Sequence, residues 1–227
     1  MPSHPVSIHV IRPGGISPER VAACLTDHEK LRAGRFKFGK DAVQWSAYRA
    51  GLRVILGQSL GLHPVEVPLV FSETGKPGLA PPHDHLHFNL SHCDGLALLA
   101  LSPNGPVGID LEPVDRAGSL LECETSFCHP DEITTLPPSP GERACQLLRI
   151  WTAKEAILKA LGTGLSHPPD AVTLHFEGDA GRATSERCLE GIENFRFHLL
   201  RHPSLEGFQA VLALSEADDA FKMHEEA

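Results

Sequence analysis

Two long stretches, 39 to 60 and 141 to 161, read as helices, and each stands between runs that alternate like strands. Together they restrict the fold more than any other feature. In the first, Val43, Ala47, Ala50, Leu52, Val54, Ile55 and Leu56 make the apolar side, and Gly61 closes it. Ahead of it come a strand at 6 to 11 and a helix at 17 to 33, started by Ser17 and Pro18. Behind it come a strand at 67 to 72, a Gly-Lys-Pro-Gly turn, and two strand candidates, "HLHFNLSH" and "GLALLALS", joined by Cys93-Asp94-Gly95. The second stretch repeats this order: a strand at 106 to 112, helix at 117 to 136, loop "LPPSPGE", the long helix, then strands near 171 to 176, 194 to 200 and 208 to 214. The order predicts an α+β protein of two similar halves, divided at Ser102-Pro103-Asn104-Gly105 into 1–103 and 104–227. A site between the halves is the natural expectation.

Composition narrows the class. A net charge of −9 argues against a nucleic-acid binder, and no apolar stretch approaches the roughly 20 residues of a membrane span. The start, Met-Pro-Ser-His-Pro, lacks the charged and apolar regions of a signal peptide, and the six cysteines form no CxxC pair. These features point to a cytoplasmic protein with reduced thiols. The acidity is uneven: Lys30, Arg32, Arg35, Lys37, Lys40, Arg49 and Arg53 face only Asp41 across 30 to 53. Such a segment suits an anionic ligand, phosphate above all, and equally a solvated helix face.

The strand "VGIDLEP" ends in Asp110 and Glu112, which share a face because strand residues two apart point the same way. Like charges so placed repel unless a cation lies between them or the strand end is simply solvated. On the long helix, Trp151, Glu155 and Lys159 lie along one side. Glu155 and Lys159 fit an exposed ion pair, although Trp151 on the same stripe argues that the stripe is covered. Grouped, Asp110, Glu112 and Glu155 offer the hard oxygens Mg²⁺ prefers, with phosphates and water filling its shell. Ser91 and His92 stand at a strand-to-turn junction, where an imidazole donates to phosphate or acts as acid or base. Two weaker zinc candidates are His83, His85 and His87, and Cys123, Cys128 and His129; neither has a fourth ligand fixed by spacing.

Four motifs in order, "GKPGL" (75 to 79), "FNLSH" (88 to 92), "GIDLE" (108 to 112) and "WTAKEAILKALGTGL" (151 to 165), resemble those of the Sfp-type 4′-phosphopantetheinyl transferases. The resemblance implies two α+β halves with pseudo-twofold symmetry and coenzyme A bound between them. It also implies transfer of 4′-phosphopantetheine to a serine of an apo acyl or peptidyl carrier protein, with adenosine 3′,5′-bisphosphate released. By position, Asp110, Glu112 and Glu155 correspond to the Mg²⁺ ligands. Lys159 corresponds to the phosphate-contacting lysine, and Ser91 and His92 to the coenzyme-binding Ser-His element. Lys76 and Pro77 fall in the adenine-side turn, and Arg32 and Arg53 where the family keeps basic residues. Glu155 is the candidate base, with Lys159 and His92 balancing charge. Two departures stand out. Gln44 replaces an arginine that some members direct at the 3′-phosphate, so that contact shifts to Arg49, Arg32 or Lys30. Cys93 follows His92 where serine or threonine is common.

A metal-dependent phosphoester hydrolase and a non-catalytic coenzyme-binding module are the alternatives; the first uses the same carboxylates with water as nucleophile. A chain of two complementary halves has no evident need to oligomerise, so a monomer is expected.

Overall fold

The computed structural model describes residues 5–72, 75–187, 189–216 and 220–225; Cys188 lies outside them. In chain order come β1 (Val6–Ile11), α1 (Pro18–Cys24), α2 (Asp27–Ala33) and α3 (Gly39–Leu60), then β2 (Leu69–Phe71) and β3 (Pro77–Leu79). The hairpin β4 (His87–Cys93) and β5 (Leu96–Ser102) follows, then β6 (Val107–Pro113), α4 (Pro130–Thr135) and α5 (Pro140–Leu161). Last come β7 (Val172–Glu177), β8 (Ala180–Ser185), β9 (Phe195–Leu199), β10 (Phe208–Ser215) and β11 (Phe221–Glu225).

The expected helix at 17 to 33 is two helices. Thr26 is extended and caps α2: its hydroxyl accepts from the Glu29 N–H at 3.3 Å, and the Glu29 carboxylate accepts from the Thr26 N–H at 3.0 Å. A threonine that can cap a new helix competes with continuation of the old one. The expected helix at 117 to 136 is also broken. Short 3₁₀ turns fill Val114–Glu122 and Glu124–Ser126, and α4 starts afresh behind the cap His129. Pro130 has no N–H with which to continue a preceding helix.

Among the described residues the strands form a four-stranded sheet, β11-β1-β5-β4, a five-stranded sheet, β6-β10-β9-β8-β7, and the small pair β2-β3. The orders β1-β5-β4 and β6-β10-β9 are equivalent, each a strand preceding a long helix and then paired with the hairpin behind it. That is the repeated order of the sequence realised in space.

Four layers result. Ala97, Leu99 and Leu101 of β5 pack with Leu52, Ile55 and Leu56 of α3, while Leu96, Leu98 and Ala100 face the other sheet. Strand β5 is therefore apolar on both faces, as a strand covered twice must be. Val107, Ile109 and Leu111 of β6 meet them in the middle layer, with Ala210, Leu212 and Leu214 of β10. On the far face Val211, Ala213 and Phe197 pack against α5 through Leu147, Ala153 and Ile157. Alternation then sends Gly108, Asp110 and Glu112 toward α5.

Strands β4 and β6 are edges of different sheets, and they meet. The buried Asn89 side chain on β4 accepts a hydrogen bond from the Ile109 N–H at 2.9 Å, occupying a backbone donor that an edge strand otherwise leaves open.

Candidate active site

The site lies where β6, the end of β4 and α5 converge. A Cβ on Gly108 would stand 2.0 Å from the Ala156 carbonyl oxygen and 2.5 Å from the Ala160 nitrogen. Only glycine lets the strand come this close to the helix, and the approach brings Asp110 within reach of Lys159. The Lys159 ammonium donates to Asp110 Oδ1 at 2.5 Å and to the Ser91 hydroxyl at 3.2 Å; that hydroxyl in turn donates to Asp110 Oδ1 at 3.0 Å. Lys159 is thus turned to Asp110, one strand away, and the simple Glu155–Lys159 surface pair gives way to a bond between strand and helix. Glu112 accepts from the Trp151 indole N–H at 2.8 Å and from Arg116, whose guanidinium lies 5.3 Å above the Trp151 ring.

Two carboxylate oxygens in this cluster, Asp110 Oδ2 and Glu155 Oε1, are buried without a hydrogen-bond partner. Burial pushes the pKa of Asp110 up, against the opposing pull of Lys159. Burial pushes Glu155 up as well; Lys159 opposes, and the charges of Asp110 and Glu112 add to the rise. Acceptors of this kind are costly to leave unmade, and a hard cation is the partner that would satisfy both and relieve the repulsion. The donor set, carboxylates without sulfur or imidazole, fits a hard divalent cation and not a soft metal. Among the described residues no three His, Cys, Asp or Glu side chains form a ready-made metal cage, neither Asp110, Glu112 and Glu155 nor the two zinc candidates of the sequence. Of the three histidines expected to share a strand face only His87 lies in a strand, and His85 turns to the Pro82 carbonyl at 3.0 Å. A hard cation that takes few protein ligands and fills its shell with water and phosphate needs no such cage.

His92 stacks on Tyr48 of α3 with ring centres 5.2 Å apart, and Tyr48 donates to the Cys93 carbonyl at 2.9 Å. Partial burial against Tyr48, and then the charge of Lys159, hold the solvent-exposed His92 below the usual histidine pKa. Lys76 joins from the other half: its ammonium donates to the Lys159 carbonyl at 2.5 Å, at the end of α5 where unsatisfied carbonyls attract a cation. Lys76, Pro77 and His87 line a cavity of about 490 Å³ with Gly162. The structure therefore brings Lys76, Ser91, Asp110, Glu112, Glu155 and Lys159 to one region, with His92 at its edge.

The basic segment is divided. Arg32 is exposed on α2. Arg53 is buried, and its donors are committed internally: Nε to Glu29 at 2.7 Å, Nη1 to the carbonyls of Pro64 at 2.9 Å and Val67 at 3.2 Å. Arg53 ties α3 to α2 and the following loop; it is not a free cation. Sequence reasoning missed Tyr48 and Arg116. Each acts through a partner remote in the chain or on another element, and no periodicity marks it.

Two family models match the chain back to back. The 4′-phosphopantetheinyl transferase superfamily model matches residues 106–213, and the 4′-phosphopantetheinyl transferase N-terminal model matches residues 13–104. The chain belongs to the 4′-phosphopantetheinyl transferase superfamily. Within it, the chain is 38% identical over 149 residues to the 4′-phosphopantetheinyl transferase HetI of Nostoc sp., covering 64% of this chain and 63% of that relative. It is 26% identical over 162 residues to the 4′-phosphopantetheinyl transferase of Bacillus subtilis, covering 71% and 70%. It is 31% identical over 160 residues to the L-aminoadipate-semialdehyde dehydrogenase-phosphopantetheinyl transferase of Homo sapiens, covering 62% and 49%. The HetI match spans under two-thirds of that relative's length. Among the described residues, no helix of this superfamily member is long and apolar enough to cross a membrane.

Proposed function

We propose that this chain transfers the 4′-phosphopantetheine group of coenzyme A to a serine hydroxyl of an apo acyl or peptidyl carrier protein, using Mg²⁺ and releasing adenosine 3′,5′-bisphosphate. The observation that carries the reading is the pair of orphaned buried oxygens, Asp110 Oδ2 and Glu155 Oε1, beside the Lys159 ammonium in a chain of this family. Asp110, Glu112 and Glu155 would hold the cation, Glu112 with the oxygen that Trp151 and Arg116 leave free. When bound, the cation supplies charge neutralisation at the pyrophosphate and the departing bisphosphate. Phosphoryl transfer asks little covalent chemistry of a protein and much positioning and charge balance. Lys159 gives its ammonium to the phosphates. His92, braced on Tyr48, donates a ring N–H to a phosphate oxygen. Lys76 and Pro77 flank the adenine, and Arg32 faces the nucleotide end. The serine oxygen bonds to the phosphorus next to pantetheine, the bond from that phosphorus to the bridging oxygen breaks, and the serine proton goes to Glu155. Burial makes Glu155 a stronger base than an exposed glutamate.

Five described cysteines are unpaired thiols, in keeping with a reducing cytoplasm, and the two halves complete one site within a monomer. Residues 1–103 and 104–227 are the two halves of the reading, the first supplying the nucleotide contacts and the second the carboxylates. The test is direct. The chain is incubated with coenzyme A, Mg²⁺ and an apo carrier protein, and the carrier is weighed. A gain of one phosphopantetheine group supports transfer. Phosphopantetheine freed into solution with the carrier unmodified supports the hydrolase alternative and overturns transfer.

A further inference from the structure

Glu112 is gripped at one oxygen only. Its Oε1 accepts from the Trp151 indole N–H at 2.8 Å and from the Arg116 guanidinium, so both donors meet the same atom. A carboxylate oxygen offers about two lone-pair sites, and two donors fill it. Trp151 alone would leave one site open. Arg116 closes it.

The grip is built into the fold. Arg116 lies in the 3₁₀ turn Val114–Glu122, anchored by the buried Ala117 and Leu120, and its carbonyl accepts from the Ser119 hydroxyl at 2.7 Å. Its guanidinium lies 5.3 Å from the centre of the Trp151 ring. Trp151 in turn stands edge-on to the buried Phe127, with ring centres 5.3 Å apart. A planar fork stacked on a fixed indole gives up little freedom in holding its bond.

Asp110 shows the same pattern with other donors. Its Oδ1 accepts from the Lys159 ammonium at 2.5 Å and from the Ser91 hydroxyl at 3.0 Å, while Oδ2 is buried and unpartnered. Each of these carboxylates has one saturated oxygen and one open oxygen, so neither can grasp a cation through both without breaking bonds. Glu155 adds its own buried, unpartnered Oε1. Mg²⁺ demands a near-octahedral shell, which a two-oxygen bite distorts. Ca²⁺ takes about six to eight oxygens and readily accepts a carboxylate through both.

We propose that Arg116 is a positioning residue that confines Glu112 to a single open oxygen and thereby sets the choice between small octahedral cations and Ca²⁺. The inference rests on the transferase reading for the presence of a cation. The positive charge of Arg116 opposes every dication alike, so its field by itself leaves the ratio between two dications unchanged. That ratio isolates the closing of Oε1.

The test is a competition measured on the protein with coenzyme A and no carrier. Binding of Mn²⁺ is followed by loss of the free-ion electron paramagnetic resonance signal, against a coenzyme-only blank, and the ion is then displaced with Mg²⁺ or with Ca²⁺. Arg116→Met keeps a stem over the indole and removes the donors. The ratio of the Ca²⁺ to the Mg²⁺ dissociation constant is expected to fall about 10-fold, the lower end of what residues that orient metal ligands contribute to affinity. Arg116→Lys keeps the charge without the fork and falls between. Trp151→Phe removes the other donor to Oε1 and shifts the ratio the same way. If Arg116→Met fails to fold by circular dichroism, those two variants decide. An unchanged ratio, equal tightening of both ions, or a wild-type protein that prefers Ca²⁺ overturns the proposal, and so does a wild-type protein that binds no Mn²⁺. Carrier modification by the wild type beside an unchanged ratio in the variants leaves the transferase reading standing. A shifted ratio in a protein that transfers nothing to carrier overturns that reading and leaves the role of Arg116 intact.

Discussion

Replacing Gly108 with alanine adds one methyl group at the tightest contact between the strand of Asp110 and the helix of Glu155. The new Cβ meets the Ala156 carbonyl oxygen at 2.0 Å, against an ordinary contact of 3.4 Å or more. Strand and helix must separate by about 1.4 Å along that line. The obstacle is helix backbone, which cannot rotate aside as a side chain does. Overpacking of this kind costs about 1–3 kcal/mol, and a backbone clash belongs at the upper end. For a domain of this size about 3 kcal/mol corresponds to a loss of roughly 6–12 °C in Tm. The separation also moves Glu155 and Lys159 away from Asp110, and a displacement near 1 Å costs catalysis on the order of 10²-fold. The assay pairs urea unfolding with carrier-mass kinetics at saturating coenzyme A. Gly105→Ala is the control, since a Cβ there meets nothing within 4 Å and the residue has no positive φ. If Gly108→Ala retained kcat within threefold and Tm within about 2 °C, close packing of β6 on α5 would not be what aligns the carboxylates.

Three further outcomes are expected. Glu155→Gln keeps the shape but not the proton acceptor, so kcat should stay about 10²–10⁴-fold low at saturating Mg²⁺; full recovery at high Mg²⁺ would leave Glu155 a ligand alone. Asp110 and Glu155 both have pKa values raised in the folded state, so the folded protein binds more protons than the unfolded chain between the two values. Their contribution is therefore favourable at low pH and lost as pH rises through the folded values. Scanning calorimetry of metal-free protein should show this loss as pH rises above the ordinary carboxylate range, and Mg²⁺ should raise Tm more at pH 7.5 than at a pH where both groups are protonated; an equal rise would refute the cation's tie to these groups. Lys154→Met strands the buried Glu132, which now holds the ammonium at 2.6 Å with the Phe127 and Pro169 carbonyls beside it. Breaking such a pair from one side costs about 3–5 kcal/mol, read by urea unfolding, and a loss below about 1 kcal/mol would show the pair to be dispensable.

The parts of the fold legible in the sequence are those that alternate, as β1 and β6 do, or that run long or apolar between turn and stop residues, as α3, α5 and the β4–β5 hairpin do. The repeated order of elements foretold the matching sheet orders. Strand β8, "AGRATS", has no apolar alternation. It is held by pairing with β7 and β9, and Gly181 is needed there because a side chain would strike Phe197. Strand β11 follows no turn signal that ties it to β1, its parallel partner. The carboxylates were legible because charge on an apolar strand is conspicuous. The internal commitment of Arg53 was not: Arg49 and Arg53 are arginines on one helix, and only the place of Glu29 and the loop carbonyls distinguishes them.

The bond from Ile109 to Asn89 has a consequence for how members of this family can be recombined. The two large sheets do not share a continuous ladder; at their meeting edges the Asn89 amide and the Ser91 hydroxyl fix the phase of one against the other. Exchanging β1 to β5 for the same segment of a relative would preserve each sheet's internal pairing and still lose function if the incoming strand lacked asparagine at that position. Ser91 would then no longer be indexed to Asp110. Compatibility between parents of a chimera turns on these two locating contacts more than on their overall identity.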